Sequence, residues 1–112
     1  MSVLETIKAQ AAPFVALRQD LHRHPELGLQ EFRTSALLAG QLERWGYRVT
    51  RGLAGTGLVA QLVRGSGHKR LGIRADMDAL PIQEANTFAH RSVHEGVMHA
   101  CGHDGHTAML MA

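Results

Sequence analysis

The sequence predicts an α/β fold that is incomplete within its 112 residues, and three observations carry that prediction. Two stretches near the start repeat apolar residues at three- and four-residue intervals, as amphipathic helices do. Two later runs, Gly57 to Val63 and Leu71 to Ala75, are short, apolar and bounded by glycine and polar residues, as strands are. Thr107 to Ala112 then reads as the opening of an apolar helix with no polar turn, glycine cap or charge to close it. The expected object is a piece of a longer protein, with residues 1–112 forming part of one domain.

From Ser2 to about Arg23, Leu4, Ile7, Ala11, Phe14, Leu17 and Leu21 fall on one helical face. Pro13 interrupts the stretch, so either the helix starts near Ala12 or it kinks there. His24 precedes Pro25 and Gly28 follows, which predicts a helix end running into a turn. A second helix is expected from about Glu31 to Trp45, with Leu38, Leu42 and Trp45 as its buried stripe and Gly46 as its stop. Tyr47 to Thr50 has the composition of a short strand. The runs 57–63 and 71–75 are separated by the turn-rich Arg64 to Lys69, a spacing that allows an antiparallel hairpin with a long loop. Asp76 and Asp78 then lie just beyond a predicted strand, and the region from Ile82 to Gly96 is irregular and polar.

Composition excludes several classes. With 12 Lys+Arg against 10 Asp+Glu, the net charge is only +2 and the basic residues are dispersed, while aromatics are 4% of the chain. A nucleic-acid partner would call for a basic patch or a stacking platform, and neither is present. No run is long enough to span a bilayer, and Met1 to Glu5 lacks the basic start and apolar run of a secretory signal. The expected location is the cytoplasm, with no membrane partner. One cysteine cannot form an intrachain disulfide, so Cys101 is a buried small hydrophobe, a reactive thiol or a metal ligand.

The densest chemistry lies in Met98-His99-Ala100-Cys101-Gly102-His103-Asp104-Gly105-His106-Thr107. Thiolate and neutral imidazole are good ligands for zinc and its neighbours, and Gly102 and Gly105 allow a tight backbone that can turn Cys101 and His103 toward one ion. The competing reading is a free cysteine beside solvated histidines. Asp76 and Asp78 are candidates for ligands or for carboxylates that orient a ligating histidine, against the alternative of a solvated acidic turn. His22 and His24 are two apart, which points them to different sides of a helix and makes them poor partners for one ion. They read as residues of a helix end, and Glu26 and Glu31 read as structural.

Three segments together resemble a known family. They are Leu21-His22-Arg23-His24-Pro25-Glu26-Leu27-Gly28 with Glu31 and Thr34; Gly72-Ile73-Arg74-Ala75-Asp76-Met77-Asp78-Ala79-Leu80-Pro81-Ile82 with Glu84; and Met98 to Leu110. In that order they resemble the N-terminal signatures of the M20 metallopeptidases, in the amidohydrolase branch that includes hippurate hydrolases, N-acyl-amino-acid amidohydrolases and indole-acetyl-amino-acid hydrolases. The resemblance spans residues 21 to 110.

It implies that residues 1–112 are the N-terminal portion of a mixed-sheet α/β catalytic domain. The rest of that domain and an inserted dimerisation domain lie outside these residues, and the complete enzyme would be a homodimer or homotetramer. It implies a pair of divalent metal ions, drawn from zinc, manganese, nickel and cobalt, with Cys101 and His103 as ligands. Asp78 is carried over as a carboxylate that orients a ligand. In other branches a ligand histidine stands where this sequence has Asp76, which puts a ligand role at 76 in doubt. A glutamate, two further histidines and a glutamate general base would come from later positions. The implied activity is hydrolysis of the amide bond of a small N-acyl amino acid, with the 112-residue piece inactive alone. A non-catalytic metal- or partner-binding module is the alternative.

Overall fold

A computed structural model describes residues 1–112. It contains three helices, α1 (Val3–Arg23), α2 (Phe32–Arg44) and α3 (His103–Met111), and one antiparallel hairpin of β1 (Arg48–Leu53) and β2 (Gly57–Gln61). Helix α1 packs against α3, and α2 packs against both strands. No helix is long and apolar enough to cross a membrane.

Helix α1 starts at Val3 because Ser2 and Glu5 cap it reciprocally. Ser2 Oγ accepts the Glu5 amide at 3.2 Å, and the Glu5 carboxylate accepts the Ser2 amide at 2.7 Å. The helix runs through Pro13 as one element, so the alternative start near Ala12 is not taken. Its expected apolar stripe is graded: Leu21 is buried, Ala11, Phe14 and Leu17 are half-buried, and Leu4 and Ile7 are exposed. Ile7 and Phe14 instead line an apolar groove between α1 and α3, together with Ala108 and Met109.

Helix α2 is capped from a distance. Glu31 makes no side-chain cap, and Glu26 supplies it, its two carboxylate oxygens accepting the amides of Arg33 at 2.9 Å and Thr34 at 2.7 Å. Glu31 turns inward and accepts the Thr56 hydroxyl at 3.0 Å. The structural role expected of both glutamates is thus specific: one starts the helix and the other ties it to the hairpin. Leu38 is buried as expected, whereas Trp45 lies half out of the core with its ring 6.1 Å from that of Phe14.

The predicted pairing of 57–63 with 71–75 does not occur. Residues 57–61 pair with 48–53, and Ala54 and Gly55 take positive φ values of 51° and 94° in the connecting turn. A Cβ at Gly57 would sit 2.6 Å from the Leu53 carbonyl, so glycine is required for the chain to close there. A local turn costs less closure entropy than the long Arg64–Lys69 loop, and it wins. Residues 71–75 are left unpaired, with Leu71 85% and Ile73 69% exposed.

Beyond Ala75 the chain is irregular but anchored. Ala79 forms an isolated parallel bridge with Leu27, and Leu80 an antiparallel one with Met98, closed by reciprocal amide–carbonyl bonds of 2.9 and 3.0 Å. The Val93 amide donates to the Arg23 carbonyl at 2.9 Å. These contacts draw the segments around residues 22, 78 and 101 together. Helix α3 begins at His103, four residues ahead of the expected Thr107, after Gly102 turns the chain with φ 104°. Asp104 in the first turn favours the helix N-terminus, and the Thr107 hydroxyl donates to the Asp76 carbonyl at 2.9 Å.

Candidate metal centre

His103 stands at the first position of α3, and its Nδ1 lies 2.8 Å from Asp78 Oδ1 and 3.1 Å from the Asp78 carbonyl. Both neighbours are acceptors, so Nδ1 carries the proton and Nε2 keeps a free lone pair. A carboxylate on the far nitrogen is the usual support of a metal-ligating histidine. Cys101, two residues earlier, is exposed. The His106 ring lies 5.9 Å from that of His103 and is also exposed.

The donor chemistry fits two ligands, the Cys101 thiolate and His103 Nε2. No three His, Cys, Asp or Glu side chains converge to hold an ion among residues 1–112. A divalent ion at this loop would therefore need ligands from elsewhere. The Asp76 carboxylate pairs with Arg74.

Behind this loop lies a buried network that sequence spacing did not reveal. His22 Nδ1 lies 2.8 Å from Asp104 Oδ2, and Nε2 lies 2.9 Å from Glu84 Oε2, with all three side chains at most 3% exposed. Both ring nitrogens face carboxylate oxygens, which is satisfied in full only when both carry a proton. Arg18 Nε reaches Asp104 Oδ2 at 3.0 Å, and the Gly105 amide donates to Asp104 Oδ1 at 2.9 Å. Glu84 also accepts from Asn86 Nδ2 at 2.9 Å and the Ser92 amide at 2.7 Å.

Burial alone would raise both carboxyl pKa values, but these partners outweigh it. Hydrogen bonds from His22, Asn86 and Ser92 bring Glu84 down to about 2, and bonds from His22 and Gly105, with the Arg18 charge, lower Asp104. His22 does lie in the last turn of α1, as expected, but it is buried there and held by two carboxylates. One signal could have found it: Arg18 and His22 are four apart and so share a helix face. His24, by contrast, does end α1, its Nδ1 donating to the Asp20 carbonyl at 2.9 Å.

His99 is only 5% exposed, and neither ring nitrogen has a hydrogen-bond partner. Burial lowers its pKa, so it is held neutral. The neighbouring His90 stacks on Phe88 with ring centroids 3.9 Å apart.

A buried histidine network thus lies behind an exposed Cys-x-His loop, and known proteins share this sequence and fold. Residues 72–112 match the Peptidase family M20/M25/M40. Hippurate hydrolase of Campylobacter jejuni is 43% identical over 99% of this chain and 29% of its own length. N-acyl-L-amino acid amidohydrolase of Geobacillus stearothermophilus is 48% identical over 87% of the chain and 26% of its own length. A Bacillus subtilis protein described as a dinuclear metal-binding peptidase of the M20 family superposes with a TM-score of 0.78 at 40% identity, over 90% of this chain and 29% of that one. A solved structure from methicillin-resistant Staphylococcus aureus gives a TM-score of 0.90 at 37% identity, over 97% and 29%. Residues 72–112 thus match the M20 family, and the chain adopts part of the fold of these relatives, spanning somewhat more than a quarter of their length.

Proposed function

We propose that this chain forms part of a metal-dependent amidohydrolase that cleaves the amide bond of N-acyl amino acids of the hippurate type. The observation that supports it best is the Asp78–His103 contact of 2.8 Å, which leaves the other ring nitrogen, Nε2, available two residues after the exposed Cys101. The names of the similar proteins, hippurate hydrolase and N-acyl-L-amino acid amidohydrolase, support this substrate class. The dinuclear centre ascribed to the Bacillus subtilis relative supports a pair of metal ions.

In this reading Cys101 and His103 are ligands, and residues outside 1–112 supply a glutamate, two histidines and the glutamate base. Divalent metal chemistry in such a site polarises the amide carbonyl and brings the ionisation of water toward neutral pH. Asp78 keeps the His103 proton on Nδ1, so that Nε2 stays aimed outward as a donor. Cys101 must give up its proton to ligate, so occupancy falls in acid. Water adds across the amide: its oxygen goes to the acyl carbon, and one of its protons, carried by the base, goes to the departing amine. The products are a carboxylic acid and a free amino acid. The same reading has the enzyme in the cytoplasm, as a homodimer or homotetramer, with zinc, manganese, nickel or cobalt in the site and no nucleic-acid or membrane partner. The 112 residues alone would be inactive.

The test is the purified complete gene product containing this chain, assayed for release of benzoate and glycine from hippurate. Activity should vanish on chelation, return with one of the four metals, and be lost in Cys101→Ala and His103→Ala. Absence of hydrolysis across a panel of N-acyl amino acids, with metal still bound, would favour the non-catalytic module.

A further inference from the structure

We propose that His22 is a positioning residue for the metal-binding loop, acting through Asp104. This rests on the reading of Cys101 and His103 as ligands. The network described above joins three parts of the chain that are far apart in sequence: α1 through Arg18 and His22, the irregular segment through Glu84, and α3 through Asp104. Its His22–Asp104 contact spans 82 positions and ends on the residue next to His103 in the chain.

The geometry leaves His103 little freedom. Its ring is held from one side by Asp78, at 2.8 Å, and its backbone from the other by the clamp on Asp104. Asp104 accepts from His22, Arg18 and the Gly105 amide, so its carboxylate cannot turn without breaking three contacts. Gly102, at φ 104°, is the flexible joint just before the helix. A loop that turns at a glycine is fixed only as well as the helical turn that follows it, and His22 holds Asp104 in that turn. Arg18 holds the same oxygen but is itself 39% exposed, so it cannot lock Asp104 as a fully buried imidazole can.

The alternative is that His22 merely stabilises the fold. Buried charged hydrogen bonds do stabilise, so stability alone cannot separate the two roles. Metal affinity can. The test uses the complete enzyme, stripped of metal and titrated with Co²⁺, whose thiolate charge-transfer absorption reports ligation by Cys101. His22→Phe is compared with Thr56→Val, which breaks the buried Thr56–Glu31 bond far from the loop. His22→Phe should weaken Co²⁺ binding about 10- to 100-fold, the range seen when supports of metal ligands are removed. Thr56→Val should lower thermal stability and leave Co²⁺ affinity within about twofold.

Should His22→Phe not fold, Glu84→Gln is the graded variant. It keeps the side chain's size, weakens one anchor of His22, and should cost about threefold or more in Co²⁺ affinity. Affinity unchanged in a folded His22→Phe or Glu84→Gln variant, or a loss matched by Thr56→Val at equal destabilisation, would overturn the positioning role. If the wild-type enzyme shows no thiolate absorption with Co²⁺, and Cys101→Ser binds as well, the ligand reading itself fails and takes this role with it.

Discussion

Asp78 Oδ1 lies 2.8 Å from His103 Nδ1, joining a carboxylate just past an unpaired extended segment to the first residue of a helix 25 positions away. The pair fixes one tautomer of His103. Its carboxylate is part-exposed, so its effect on global stability is modest and its effect on the ring is direct. Asp78→Asn in the complete enzyme should therefore weaken metal binding about 10- to 100-fold while changing stability by less than about 1 kcal/mol. Competition with a coloured chelator measures the first and thermal unfolding of the metal-free enzyme the second. Equal affinity for wild type and variant would remove Asp78 from the site.

Cys101 is exposed, so the thiol of the metal-free enzyme should react with iodoacetamide. Metal should slow that reaction at least about tenfold, because a ligated thiolate is no longer free to attack. His103→Ala should abolish the protection at the same metal concentration. Mass spectrometry of the labelled peptide follows both, and protection that survives His103→Ala would show that the thiol is shielded for another reason.

Glu84 gives the acid limb of stability. Its pKa in the fold is about 2, against 4.5 for a free glutamate, so the folded state binds its proton less well than the unfolded one. A depressed carboxyl stabilises above the unfolded pKa, and that stabilisation fades as pH falls from about 4.5 toward 2. The shift corresponds to about 3 kcal/mol. Urea unfolding between pH 5 and pH 2 should show this loss, and Glu84→Gln should be less stable at pH 5 and flatter across the window. An equally steep limb in Glu84→Gln would assign the acid sensitivity to other groups.

His99 carries the opposite expectation. A buried imidazole with neither nitrogen bonded has lost its hydration without replacement, so removing its polar atoms costs little beyond shape. His99→Leu should change stability by less than about 1 kcal/mol in either direction, measured by urea unfolding at pH 7. A loss above about 2 kcal/mol would mean that the complete enzyme brings a partner to this ring.

Much of the architecture was legible in the residues, because local signals dominate where local contacts do. The apolar intervals of α2 and the Gly46 stop act within a few positions. The hairpin partner was misread because alternation identifies a strand but not its neighbour, and the short turn at Ala54 and Gly55 outcompeted the longer loop. Leu71 and Ile73 look like core residues by type, yet residues 1–112 hold no strand to pair with them. At the site, Asp78, Cys101 and His103 were marked by motif, and the structure brings Asp78 to His103. His22, Glu84 and Asp104 meet across 62 and 82 positions, a pairing that periodicity cannot encode. Asp76 and Asp78 are alike by residue type and only the resemblance favoured Asp78; the structure pairs Asp76 with Arg74 and sets Asp78 against His103.

The most direct measurement is an anomalous difference map of crystals of the complete enzyme loaded with zinc, contoured around the loop after Leu80–Met98. A peak at about 2.3 Å from Cys101 Sγ and about 2.0 Å from His103 Nε2 is the predicted result. Zinc bound elsewhere, with the thiol and that imidazole nitrogen both outside bonding distance of any peak, would contradict it.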